Sequence, residues 1–282
     1  LVKAAPDSFE AHYNLALSYQ KLGKPEQAIR SYHDALRIQP DAEKALVNLG
    51  VVLQEKGNLP EARKAYEKAL QVKPDLMTAL WNMAILADQQ GDSEEAAILY
   101  TEAVSKKPEW DEAWFRLGYA QLSYGDYQAS MQTLQECLTR RPDWTEARLN
   151  LGIAQWKSGL HAAAKDSLDR AHAAQPESLE ILRVLASLAL QLKDFDELSA
   201  YQAKLNQLGD KTAELHYNAG FALHEANRLE AAESSYRQAI AINQAFAEAH
   251  LNLGHVLNAL GRDSDAAAAW EKARELRPDL RR

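Results

Sequence analysis

An all-α solenoid of helical hairpins is the fold that this 282-residue sequence predicts. Three observations predict it: two glycine series and one proline series share a single 34-residue period, and the apolar residues between them recur at helical spacing. Gly23, Gly57, Gly91, Gly125 and Gly159 form the first series, which Gly261 rejoins three periods later. Gly50, Gly118, Gly152, Gly220 and Gly254 form the second, with Ala16, Ala84 and Ala186 at its missing steps. Pro6, Pro40, Pro74, Pro108, Pro142, Pro176 and Pro278 form the third.

Within one period the elements follow in order. Residues 43–56 place Leu46, Leu49, Gly50 and Leu53 on one helical face. Gly57 ends that helix, and a second is predicted over 60–71 with Ala62, Ala65, Tyr66, Ala69 and Leu70 inward. Pro60 suits its first turn, where the missing N–H costs nothing. Pro74 closes the period, and Asp75 offers a turn oxygen before the next helix. One hairpin of this size cannot bury its own apolar face, so stability has to come from stacking on its neighbours.

Composition fits a folded chain and narrows the function. The sequence is 46% apolar and 26% charged, with a net charge of −8. Such a balance excludes wholesale disorder and argues against a duplex nucleic-acid footprint. No apolar run is long enough to span a membrane. The single cysteine, Cys137, excludes a disulfide framework and any cysteine-based zinc site. It lies on a packing face and reads as an inert small apolar residue.

These residues resemble the tetratricopeptide repeat (TPR). Counting repeat position 1 from Phe9, eight units tile 9–280: 9–42, 43–76, 77–110, 111–144, 145–178, 179–212, 213–246 and 247–280. Position 8 is Gly or Ala throughout, and positions 20 and 27 are small in seven units each. Position 24 is Tyr32, Tyr66, Tyr100, Tyr236 or Trp270 in five. Small residues let the two helices of a hairpin cross closely, and the ring fills the gap that remains. The resemblance implies a right-handed superhelix.

Two departures stand out. The sixth unit has Lys193 for glycine, Leu198 and Leu205 at small positions, and Asp210 for proline. It reads either as a degenerate repeat that still stacks, or as a wider crossing that acts as a hinge. Residues 1–8, with Pro6 at a closing-proline position, read as the tail of a preceding, truncated repeat. At the other end Arg281 and Arg282 follow the last unit without an extra capping helix, which reads either as a protein that continues or as a last helix whose polar side suffices. The compartment stays open, with the cytoplasm favoured and the periplasm allowed by the truncated start.

Nothing in the sequence assembles an active site. There is no phosphate loop after a strand and no metalloprotease histidine pair, and of the eight histidines only His224 and His255 are expected to share a surface. No catalytic residue, cofactor or metal is expected.

The first helices carry the informative face. Positions 4, 7, 8 and 11 point toward the packing partner, which leaves 2, 6, 9 and 13 on another face, with 5 and 12 beside them. In the resemblance that face lines a concave groove. Position 6 reads Asn14, Asn48, Asn82, Arg116, Asn150, Val184, Asn218 and Asn252. An asparagine amide both donates and accepts, so it can hold a peptide backbone whatever its side chains. The ladder is similar to that in the repeat region of O-GlcNAc transferases, although a tolerated polar residue explains it too. Around it stand Tyr13, Trp81, Phe115, Tyr119 and Trp156, which either meet a partner or pack between adjacent first helices. Arg116 either anchors a ligand carboxylate or pairs with Glu112 one turn away. The carboxylate clamp of co-chaperone repeats is broken by Val47, Val51 and Glu112.

The sequence therefore predicts a non-catalytic scaffold that takes an extended peptide or partner segment. A substrate-recognition arm of a larger enzyme and a self-assembling scaffold are the alternatives. Each ladder bond nets about 0.5–1.5 kcal/mol, offset by the cost of ordering the peptide. Binding by the ladder alone is then roughly micromolar or weaker.

Overall fold

A computed structural model describes residues 7–280. The truncated-repeat reading of 1–8 lies largely outside the described residues, as do Arg281 and Arg282. The chain divides into two compact units between Asn150 and Leu151. Among the described residues it is all-α, with no strand.

The first unit holds four hairpins. They are α1 (Phe9–Lys21) with α2 (Pro25–Ile38), α3 (Glu43–Glu55) with α4 (Leu59–Val72), α5 (Met77–Gln90) with α6 (Ser93–Lys106), and α7 (Asp111–Tyr124) with α8 (Tyr127–Arg140). The division falls within α9 (Thr145–Lys157). The second unit continues with α10 (His161–Ala174), α11 (Leu179–Leu192), α12 (Phe195–Gln207) and α13 (Ala213–Glu225). It ends with α14 (Leu229–Ile242), α15 (Ala247–Ala259) and α16 (Asp263–Leu276).

Local chemistry sets these boundaries. Asp92, Asp126 and Asp194 precede α6, α8 and α12, and each accepts a hydrogen bond from a first-turn N–H. Pro25 and Pro60 sit in the first turns of α2 and α4. Asp75 does not cap α5. Leu76 holds the cap position there, with no side-chain cap bond. Gly125 ends α7 with φ of 99°, a left-handed conformation that a Cβ disfavours. Lys193 and Asn227 adopt the same region at the equivalent points, with φ of 57° and 56°.

The core is built where a small residue meets a large one. A Cβ on Gly118 would stand 2.7 Å from Leu134, and one on Gly220 would stand 2.9 Å from Tyr236. No real Cβ tolerates that, so glycine at position 8 lets α7 approach α8, and α13 approach α14. Tyr32, Tyr66, Tyr100 and Tyr236 are wholly buried at position 24. Three of these hydroxyls reach back to the first helix: Tyr32 donates to Gln20, Tyr66 to Gln54 and Tyr100 to Asp88, each at 2.8 Å. Burial pushes all four phenols above their ordinary range. Cys137, fully buried on α8, has its thiol pushed up by burial to about 12.

The sixth hairpin, α11–α12, solves the same problem with polar groups. Leu198 and Leu205 are completely buried. Position 24 is Gln202, whose Nε2 lies 3.1 Å from Nδ1 of the buried His216 and whose Oε1 accepts from the Ser235 hydroxyl at 3.3 Å. Asp210, its side chain wholly buried, pairs with Arg183 and accepts from both the N–H and the hydroxyl of Thr212 at 3.2 Å. Burial pushes the Asp210 carboxyl up, yet Arg183 and Thr212 hold it below its ordinary value. Burial lowers His216, against a smaller opposing effect of Asp210.

Candidate functional site

The first-helix face away from the core carries the asparagines, and helical spacing explains why. With α1 turned so that Ala16 is buried, Asn14 falls on the outer side and is exposed. Asn218 on α13 is likewise exposed, whereas Asn48, Asn82 and Asn252 are half-buried and Asn150 is buried.

Their hydrogen bonds divide them further. Asn48 Nδ2 donates to the Tyr13 hydroxyl at 3.0 Å, and Asn252 Nδ2 donates to the Tyr217 hydroxyl at 3.1 Å. Each bond joins position 6 of one hairpin to position 5 of the hairpin before. It forms where that earlier residue is tyrosine; Val47 and Arg183, the counterparts for Asn82 and Asn218, offer no phenol. Asn48 and Asn252 are therefore partly committed to joining successive first helices.

Most of the predicted aromatic lining also packs. Trp81 lies 4.2 Å from Trp110 between ring centroids and 5.4 Å from Tyr100. Phe115 stacks on Trp144 at 4.7 Å. Tyr13 stacks on Phe9 at 5.6 Å and leans on Tyr32. These ring contacts fall within single hairpins or at the start of the next first helix. Trp110, Trp144 and Phe246, at the last position of their repeats, complete these pairs. Their sequence signal is a repeated 29-residue aromatic spacing: Trp81 to Trp110, Phe115 to Trp144 and Tyr217 to Phe246. Trp156 donates its indole N–H to Gln191 at 2.8 Å, with Lys157 over the ring.

Two rings on this face remain open. Tyr119 on α7 is 45% exposed, and Phe221 on α13 is 51% exposed. Both stand at position 9 of their repeats. Arg116 Nε lies 3.1 Å from Glu112 Oε1 one turn back. Burial lowers His255, and the nearby His224 adds to that shift.

This arrangement offers neutral hydrogen-bonding amides and isolated exposed rings, without a nucleophile paired to a base. Among the described residues no cluster of three or more His, Cys, Asp or Glu could hold a metal. No helix among them is long and apolar enough to cross a membrane.

Comparison with known proteins follows the same lines. Models described as tetratricopeptide repeat match residues 7–72, 41–109, 79–144 and 121–188, and one described as TPR repeat matches 222–261. A segment of 105 residues, 36% of the chain, is 32% identical to the human protein O-mannosyl-transferase TMTC1 and spans 12% of that protein's length. The fold is similar to a crystal structure of a tetratricopeptide repeat protein from Parabacteroides merdae, with a TM-score of 0.65 and 21% identity over 89% of this chain and 99% of that one. It is also similar to YrrB, described as a TPR protein with an unusual peptide-binding site. There the TM-score is 0.61 and the identity 20%, over 65% of this chain and 94% of YrrB.

Proposed function

We propose, for a chain that belongs to the tetratricopeptide repeat family of protein-interaction scaffolds, that the asparagine face binds an extended peptide and carries out no catalysis of its own. The observation that carries this reading is the pairing of uncommitted position-6 amides with open rings. Asn82 shares the first unit with Tyr119, and Asn218 lies one turn from Phe221 on α13. Amides hold a backbone without regard to its side chains, and the two rings then supply preference for apolar residues. Peptide capture by YrrB, a protein of like fold, supports the same reading.

Structure also changes which asparagines a test should address. Asn48 and Asn252 already hold tyrosine hydroxyls, and Asn150 is buried. Asn14, Asn82 and Asn218 are the ones to remove. A peptide-display selection run on the parent and on Asn14→Ala/Asn82→Ala/Asn218→Ala, at matched helicity, is expected to yield peptides whose affinity for the variant falls at least tenfold. Equal binding to both proteins overturns the proposal, as does a parent that selects nothing.

A second reading, the recognition arm of a larger enzyme, draws support from the match to protein O-mannosyl-transferase TMTC1. Its expected signature is that peptides recovered from the display are glycosyl acceptors for a transferase carrying these repeats. Self-assembly, the third expectation, predicts a concentration-dependent size in solution.

A further inference from the structure

One stripe of α13 carries an open ring and two carboxylates without a cation of its own. We infer that a protein partner supplies that cation: a basic, extended segment whose arginine lies over Phe221 with its guanidinium on Glu225. Such a segment is the peptide of the reading above, on which this identification rests, now given a charge. Glu214, Asn218, Phe221 and Glu225 recur at steps of four, three and four residues, which places them on one side of α13, and all four are exposed. The stripe lies wholly within the second unit.

Elsewhere the chain covers its rings with its own cations. In the first unit Arg141 lies 4.2 Å from the centre of the Trp144 ring and Arg140 lies 5.3 Å from that of Trp114. In the second, Arg228 lies 5.1 Å from that of Phe195. Phe221, 51% exposed, has no such cover among the described residues. Neither α13 nor α15 contains a lysine or arginine. Arg183, the one on α11, is held by the buried Asp210. Arg228, just beyond α13, pairs with Asp196, and Arg277 pairs with Glu248.

The carboxylates are a separate observation. Glu214 stands in the first turn of α13, where the helix dipole accounts for it. Glu225 is the last residue of the same helix, at the end where that dipole opposes a negative charge. Among the described residues no cation lies within ion-pair distance of it. Helix stability therefore gives no reason for a glutamate here, whereas a ligand cation does. Arginine suits the place better than lysine. Its planar guanidinium stacks on a ring and holds a carboxylate with parallel N–H groups, and its alkyl stem gives the ring apolar contact. Asn218, one turn before Phe221, is free to hold the backbone beside it.

The probe is an acetylated, amidated nine-residue peptide of alternating serine and arginine, which puts every arginine on one side of an extended strand. Beside it stand twins with glutamate or leucine for each arginine. At pH 7.5 and low salt, NMR of the full chain is expected to show the arginine peptide shifting the Phe221 ring and Asn218 side-chain amide signals. Glu225→Gln, an exposed and nearly isosteric change, should weaken that peptide about threefold, and Glu214→Gln/Glu225→Gln about tenfold. Glu230→Gln/Glu271→Gln removes the same charge from exposed positions on α14 and α16 and should leave affinity within about twofold, which tells local pairing apart from attraction to an acidic molecule. The basic partner is overturned if either twin binds as tightly as the arginine peptide, if the α13 double variant binds like the parent, if the α14/α16 pair weakens binding as much, or if neither signal shifts. A leucine twin that binds best and still shifts Asn218 leaves peptide capture standing while the basic partner falls. Failure of capture itself is read separately, in the display selection with Asn14→Ala/Asn82→Ala/Asn218→Ala.

Discussion

Tyr66 and Gln202 occupy the same repeat position in the second and sixth hairpins, yet the two are held by opposite chemistry. Tyr66 lies against a glycine, Gly50, and sends its hydroxyl to Gln54. Gln202 has no ring to offer, and its amide is tied to His216 and Ser235 instead. The regular hairpin depends on shape, because a ring fills the gap beside a small residue, here Gly50. The irregular one depends on satisfied polar groups, so its stability is exposed to protonation in a way that the other's is not.

That contrast can be broken most forcefully at the ring. Tyr66→Ala should destabilise the first unit by about 3–5 kcal/mol, the cost of a large core truncation. Urea denaturation followed by circular dichroism measures it, and a loss below 1 kcal/mol would show that the hairpin does not rest on the ring. Next in size, Gln202→Ala leaves the buried Ser235 hydroxyl and His216 without their partner and should cost about 1–3 kcal/mol. Gln202→Leu, which also removes the amide but fills its space, should still be less stable than the parent. If the leucine variant is instead more stable than the parent, the polar network is dispensable.

Acidity sharpens the comparison further. His216 is lowered in the folded state, so between its folded value and about 6.5 the unfolded chain binds more protons and stability rises with pH. The contribution is complete above about 6.5 and is lost as pH falls through the folded value. Asp210, also held low, adds a loss only below the ordinary carboxylate range. Denaturation at pH 7.5 and 5.5 should therefore show the second unit weakening, and His216→Gln should reduce that difference, the rest coming from the lowered His255. The smallest effect is expected at Lys193. Its left-handed backbone strains any residue with a Cβ, so Lys193→Gly should gain about 1 kcal/mol. No gain in melting temperature would mean that Lys193 makes a compensating contact.

Much of the fold was legible because glycine, proline and the position-8 and position-24 pair recur with one period, and each has a steric reason to do so. The expected helix over 60–71 differs from α4 by one residue at either end. The face was less legible. Nothing in the period says whether a ring at position 5 meets solvent or its own chain; that depends on the last residue of the repeat, where Trp110 and Trp144 wait for Trp81 and Phe115. In the same way, the asparagine ladder reads as uniform. Its members differ because only Tyr13 and Tyr217 supply a hydroxyl to the asparagine of the next hairpin. The polar core of the sixth repeat was invisible, since Gln202, His216 and Ser235 lie 14 and 33 residues apart along the chain.

Cys137 gives the molecule a clock. Its thiol is sealed inside α8 and held protonated well past neutral pH, so alkylating reagents cannot reach a thiolate while the α7–α8 hairpin is shut. Every modification event then counts an opening of that hairpin. The rate of labelling at this one sulfur reads out how often the fourth repeat breathes, with no probe added to the chain.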